Sequence, residues 1–309
     1  MKLQYICPFC FERQKIRDVE FRCTNKRLNA DGARICALKE DQVLSDFQGS
    51  RTVQKMPNFF RAPASGSGLN APASAKCPDC REESTMRICP SCHSRLPHDF
   101  DKTDDLIFAI IGAKEVGKSH YIAVLINQLR RTLSRSFNFS MEAATDETIR
   151  RYQNDFYAAI YDRHEALLAN KSGLVNRSVK EPLIYLLKFE EKTLLGRRLR
   201  TVTLIFFDTA GEDLNDEDTM QTVNRYITNS SGIIYLLDPL QIENVRQQLA
   251  NIPLPEINTD IESIITRTTR MIRKSKGLRN ADKIEIPVAI AFTKIDALEP
   301  ILDASSFLK

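Results

Sequence analysis

The chain has 309 residues, 42% of them hydrophobic, and a net charge of +4, so there is enough of it for about two domains and a full core, while its charge argues against a dedicated polyanion binder. No apolar run approaches the roughly 20 residues that span a bilayer, and Met1 to Pro8 lack the apolar core of a signal peptide, which predicts a cytoplasmic protein. All eight cysteines lie between Cys7 and Cys92. A cytosolic chain is a poor place for disulfides, whereas Zn²⁺ takes a tetrahedron of thiolates that Cys-x-x-Cys turns present well.

In chain order, residues 1–60 open on the knuckle Cys7-Pro-Phe-Cys10, followed by single cysteines at Cys23 and Cys36. With few large apolar residues, this segment needs a metal to supply much of its folding free energy, and Cys7, Cys10, Cys23 and Cys36 are the expected ligands. Residues 61–75, rich in Ala, Pro, Ser and Gly, read as a linker or surface loop. Residues 76–100 carry Cys77-Pro-Asp-Cys80 and Cys89-Pro-Ser-Cys92, two close knuckles that predict a zinc ribbon with those four ligands. His93 and His98 are expected to be plain surface residues. The local excess of about five positive charges in residues 1–100 is offset by two Zn²⁺ and eight thiolates, and no basic stripe interleaved with aromatics is present. Protein docking is therefore favoured over nucleic-acid binding.

From residue 101 to 309 apolar strands alternate with helical stretches, the pattern of an α/β sheet. Leu106–Ile111 reads as a buried strand, and Ile122, Leu125, Ile126, Leu129 and Leu133 recur at helical spacing after it. Between them, Gly112-Ala113-Lys114-Glu115-Val116-Gly117-Lys118-Ser119, running on to His120, fits GxxxxGK[ST], the loop that wraps nucleotide phosphates with backbone N–H groups at a helix N-terminus. In that loop Lys118 is the charge for the β- and γ-phosphates and Ser119 the hydroxyl for Mg²⁺.

Phe137–Met141 alternates as a short strand, and residues 145–170 read as a mostly helical insertion with an aromatic stripe, Tyr152, Phe156, Tyr157 and Tyr161, suited to core packing. Glu181–Phe189 and Arg200–Phe207 form a hairpin, an antiparallel pair within an otherwise parallel sheet. Its second strand ends in Asp208-Thr-Ala-Gly211-Glu212. Gly232–Asp238 and Ile286–Phe292 are further strands, the latter closing on Thr293-Lys294-Ile-Asp296. Helices are expected near residues 240–250 and from Asp260 to Lys274, with a basic run from Arg270 to Lys283 that suits a helix C-terminus. Each chemical motif sits at the carboxyl end of a strand, where ligands bind open α/β sheets.

The phosphate loop, Asp208–Gly211 and Thr293–Asp296, in that order, resemble the P-loop GTPases of the translation-factor and Ras-like class over residues 105 to about 300. The resemblance implies GTP and GDP as ligands, with Mg²⁺. It gives Asp208 the Mg²⁺ shell beside Ser119, and Gly211 a backbone N–H to the γ-phosphate at the hinge of a second switch. Asp296 would accept from guanine N1–H and N2, with Lys294 packed over the base. Joined to zinc ribbons, such a domain looks most like the bacterial double-GTPase family, associated with conflict and defence systems.

Two departures shape the expected activity. Glu212 stands where Ras-like members carry a water-orienting glutamine, and a carboxylate there repels the γ-phosphate, which predicts slow intrinsic hydrolysis accelerated by a partner or self-association. Ser178, with Arg177 beside it, is the candidate first-switch residue. The class also closes its base pocket after one more strand and helix than residues 101–309 accommodate. The reading is a GTP-binding, slowly hydrolysing switch with a zinc-ribbon docking module, against the alternative of a nucleotide-dependent scaffold or nucleic-acid-binding regulator with little turnover.

Overall fold

The computed structural model describes residues 2–62, 72–113, 115–167, 181–193, 196–207, 225–249, 253–257 and 261–301. Within residues 2–103 the elements are short: β1 (Gln4–Ile6), β2 (Arg13–Lys15), β3 (Glu20–Arg22), β4 (Leu38–Asp41), α1 (Gln42–Phe47), β5 (Gln54–Pro57), β6 (Phe59–Arg61), β7 (Ala75–Lys76), β8 (Glu83–Ser84) and β9 (Arg87–Ile88). Most pair as two-stranded ribbons, and β6, β3 and β9 form a three-stranded antiparallel sheet. Strands this short bury little by themselves. The module's core is accordingly Tyr5, Ile16, Val19, Phe21, Phe60, Leu96 and Phe100 packed around the cysteines.

Beyond it lies one six-stranded sheet, ordered β11 (Phe139–Ala143), β12 (Leu183–Thr193), β13 (Gly196–Phe206), β10 (Asp104–Ile111), β14 (Gly232–Leu237) and β15 (Val288–Phe292). Pairs β13–β10, β10–β14 and β14–β15 are parallel, whereas β12 runs antiparallel to both of its neighbours. Five strands therefore point one way and β12 alone points the other. The hairpin extends further than its apolar pattern suggests, to a register of Thr193 opposite Gly196. Its outer half is mostly charged in sequence, which leaves no apolar signal. Phe139–Ala143 is the strand expected near Phe137–Met141, displaced by two residues.

Helix α2 (Lys118–Gln128) follows β10 and continues through Leu129–Leu133 with π-type bonding. It buries Ile122, Ala123 and Ile126 against the sheet face that includes Ile110, Leu204 and Phe206. The helical insertion runs from Asp146 to Asp162, N-capped by Thr145, whose Oγ1 accepts from the Thr148 N–H at 3.1 Å. Tyr152 and Phe156 of the aromatic stripe are core residues, and the Tyr152 hydroxyl donates to the Ala123 carbonyl. Helix Ile261–Lys276 ends in Arg273, Lys274 and Lys276, cations placed where the helix dipole favours them. At the β15 side of the sheet Val288, Ile290 and Phe292 are exposed.

Candidate functional site

Three turns in the cysteine module repeat one backbone design. In Cys7–Glu12, Cys77–Glu82 and Cys89–Ser94 the residue after the second cysteine donates its N–H to the first cysteine's carbonyl at 2.9 Å in each case. The first cysteine's N–H donates to the carbonyl one residue further on, at 2.9, 2.9 and 3.0 Å. To close this turn Phe11, Arg81 and His93 all adopt left-handed backbone, with φ of 56, 62 and 54°. N–H groups also point at sulfur: Asn25 at Cys23 Sγ and Ser91 at Cys89 Sγ, both at 3.4 Å. Such donors stabilise thiolate rather than thiol.

The eight sulfurs gather as Cys7, Cys10, Cys89 and Cys92, and as Cys23, Cys36, Cys77 and Cys80, each set lying within 4.8 Å of one another. Both expected groupings are thereby corrected. The first and last knuckles share one centre, and the two single cysteines join the middle knuckle. The sets are nested, and the described residues of 2–62 and 72–103 share one core around them. Four sulfurs buried together cannot all ionise without a cation: burial pushes the Cys7 and Cys92 thiols well up, while hydrogen bonds from its neighbours draw Cys89 down. A divalent cation removes that conflict, and the ligand type, count and spacing fit tetrahedral zinc twice over.

His93 is buried rather than on the surface, and neither it nor the exposed His98 belongs to a cysteine set. Its Nδ1 lies 2.7 Å from Asp41 Oδ1 and its Nε2 3.3 Å from Glu20 Oε2. Burial alone would lower its pKa, but the two carboxylates outweigh that and hold it up. Asp41 also accepts from Arg22 at 2.6 Å and caps α1 through the Leu44 N–H. Arg22 precedes Cys23 and His93 follows Cys92, so this ion network ties the two centres together.

At the carboxyl end of the sheet, Gly112–Ser119 links β10 to α2. A Cβ on Gly112 would stand 2.6 Å from Val116 Cγ1 and 3.0 Å from the Leu236 carbonyl, and Gly117 has φ of 92°, so both positions demand glycine. Glu115 is also left-handed at φ 61°, and Val116 is buried. Lys118 folds back into the loop, donating to the Gly112 and Ala113 carbonyls at 3.0 and 2.9 Å. His120 Nε2 accepts from the Leu167 N–H.

Strand order brings Thr293 alongside: its Cβ lies 4.0 Å from where a Gly117 Cβ would be, and its N–H donates to the Leu237 carbonyl at 2.9 Å. Lys294, left-handed at φ 51°, pairs with Asp238 Oδ2 at 2.7 Å. Asp238 is a partner of Lys294 that motif reading passed over. Its signal is an Asp-Pro step directly after an apolar strand, where Oδ1 accepts from the Leu240 N–H at 2.9 Å. Asp296 is exposed at the start of the turn Ile295–Ile301. Lys114, Arg177, Ser178, Asp208, Gly211 and Glu212 lie outside the described residues.

The two modules meet at the first knuckle. Phe11 is fully buried and joins Ile107, Ile205, Phe207, Tyr226 and Ile233 in the sheet's second core. Asp105 at the start of β10 accepts from Lys2 Nζ at 2.8 Å and from the Ile6 N–H at 3.1 Å. A groove of about 470 Å³ opens beside this seam, lined by Phe9, Phe47, Met56 and Met86 on one side and Asp146 and Glu147 on the other. No described helix is long and apolar enough to cross a membrane.

No family model matches the chain. It is 26% identical over 219 residues to SaeC of Mycolicibacterium smegmatis, a protein described as an ESX-1 scaffolding and assembly protein. That similarity covers 71% of this chain and 53% of the relative, so the chain spans about half the length of that protein.

Proposed function

We propose that the chain is a GTP-binding molecular switch whose cysteine module holds two zinc ions and docks protein partners. The observation that carries this reading is the meeting of Gly117 and Thr293: two motifs 176 residues apart in sequence numbering become neighbours at the carboxyl end of the sheet. Three further features support it. A glycine-dependent loop opens a helix at a strand's carboxyl end, a lone antiparallel strand precedes the one leading to Asp208, and Lys294 is fixed by Asp238. All agree with the resemblance to P-loop GTPases.

In this reading Gly112–Ser119 cradles the phosphates with Lys118 as their charge partner, Ser119 and Asp208 hold Mg²⁺, and the ion supplies neutralisation of phosphate charge. Gly211 reports the γ-phosphate, and Asp296 reads guanine through two accepted hydrogen bonds. Glu212 slows hydrolysis to an intrinsic rate on the order of 10⁻³ s⁻¹ or below. The test is titration of the full chain with fluorescent GTP and ATP analogues. Guanine is expected to win, and Asp296→Asn is expected to weaken GTP and favour xanthosine triphosphate. Equal affinity for ATP, or GTP affinity unchanged in the variant, would refute the assignment.

The description of the mycobacterial relative as a scaffolding and assembly protein favours a second reading, a nucleotide-dependent scaffold that binds GTP and scarcely turns it over. Phosphate release under multiple turnover separates the two. Release that stays at one equivalent per chain supports the scaffold.

A further inference from the structure

We propose that Phe11 is a positioning residue that couples the outer cysteine centre (Cys7, Cys10, Cys89, Cys92) to the nucleotide site, so that a filled centre and a bound nucleotide favour one another. The inference rests on the GTP-binding reading above.

The three knuckles share a backbone, yet only the first places a large aromatic ring in the left-handed position. That conformation costs a non-glycine residue about 1 kcal/mol, and Arg81 and His93 show that a polar side chain fills it equally well. What sets Phe11 apart is its surroundings. Its ring lies 5.2 Å from Phe207 and 5.0 Å from Tyr226, which are themselves 5.4 Å apart, a closed trio of aromatic contacts. The Phe11 carbonyl accepts from Asn229 Nδ2 at 3.0 Å, and Glu12 pairs with Arg225 at 3.3 Å.

These partners occupy particular places in the chain. Phe207 immediately precedes Asp208, and Arg225 and Tyr226 are the first described residues after Glu212. The described residues on either side of the stretch that carries the proposed Mg²⁺ ligand and γ-phosphate contact thus pack on one knuckle. The Tyr226 hydroxyl also accepts from the Ile110 N–H at 3.2 Å and donates to the Phe108 carbonyl. It takes over the side of β10 where pairing with β13 stops, at Phe108 opposite Phe206. Ile110 is two residues from Gly112. On the knuckle side, the N–H of Phe11 and the carbonyl of Glu12 are the groups that close the Cys7 turn. Losing the ion frees that turn, and the freed turn no longer fixes the ring that holds Phe207 and Tyr226. Coupling of this kind is reciprocal by thermodynamic necessity.

The experiment uses the full zinc-loaded chain, Phe11→Leu and Phe11→Ala, with two readouts. One is zinc release to a colorimetric chelator, with and without GTPγS; a Cys36→Ser chain, which lacks an inner ligand, identifies the outer-centre phase. The other is affinity for fluorescent GTPγS with and without Mg²⁺. In the wild type, nucleotide is expected to slow outer-centre release about tenfold and leave the inner phase unchanged. In both Phe11 variants that protection is lost, and the Mg²⁺-dependent part of nucleotide affinity falls by a similar factor while Mg²⁺-independent binding persists. Protection retained in Phe11→Leu, or a nucleotide that slows both phases equally, overturns the coupling. A wild-type chain that binds GTPγS but whose zinc release ignores it overturns the coupling alone. A wild-type chain that binds no guanine nucleotide overturns the switch reading along with it.

Discussion

The two cysteine centres use the same ligands and serve the fold differently. All four outer cysteines are buried, two knuckles supply them, and the first knuckle is part of the sheet's own core. The inner centre combines one knuckle with two cysteines drawn from separate loops, leaves Cys80 only partly buried, and among the described residues packs within the module. Within the inner centre the thiols themselves differ. Burial pushes Cys23 up to about 11, whereas at Cys80 slight burial is outweighed by hydrogen bonds from Asn25 and the Glu82 N–H, leaving it at about 7. The outer centre is a joint between two bodies and the inner one a staple within a single body. Chemistry alone would not separate them; what each knuckle's neighbours touch does.

Substitutions can break this distinction. Cys89→Ser carries the largest expected effect, a loss on the order of 5 kcal/mol, with metal content falling to about one zinc per chain. Because the seam depends on this centre, nucleotide affinity should drop with it, as calorimetry and nucleotide titration would show. Next is Asp41→Asn, which strips a buried carboxylate from Arg22 and His93 in the network between the centres. A loss of about 3 kcal/mol in denaturant unfolding is expected, with both zinc ions retained.

Cys80→Ser should also lower the content to about one zinc, yet cost only about 2 kcal/mol and leave GTP affinity unchanged. Equal damage to nucleotide binding from Cys80→Ser and Cys89→Ser would erase the contrast between joint and staple. Smallest of all is Lys39→Ala, which removes an exposed pair with Asp79 beside the inner centre. Solvent screens such pairs, and no measurable change in melting temperature is expected.

Much of the sheet was readable from residues alone because buried strands and an amphipathic helix leave local periodic patterns: Leu106–Ile111, the helix after Ser119 and the hairpin into Phe207 all lie where those patterns put them. The cysteine ligands were legible for the same local reason, since each knuckle is a self-contained turn. Their partnering was not. Proximity in sequence favoured Cys77, Cys80, Cys89 and Cys92 as one set, but closure entropy grows only slowly with loop length, so packing of β3 between β6 and β9 decides instead. Phe11 and His93 were missed because a residue beside a cysteine carries no mark of the body it will enter. Asp238 was within reach as an Asp-Pro step, whereas its ion pair with Lys294 depends on β14 and β15 lying side by side.

Nesting also sets an order of assembly as the chain is made from its amino terminus. Cys7 and Cys10 are the first ligands to emerge and the last to be satisfied. The inner set has its fourth member once Cys80 is synthesised, while the outer set waits for Cys92. The module therefore closes from the inside outward. Phe11 is set in place only as Asp104, the first residue of β10, is about to follow, so the surface on which the sheet will lean is finished shortly before the sheet begins.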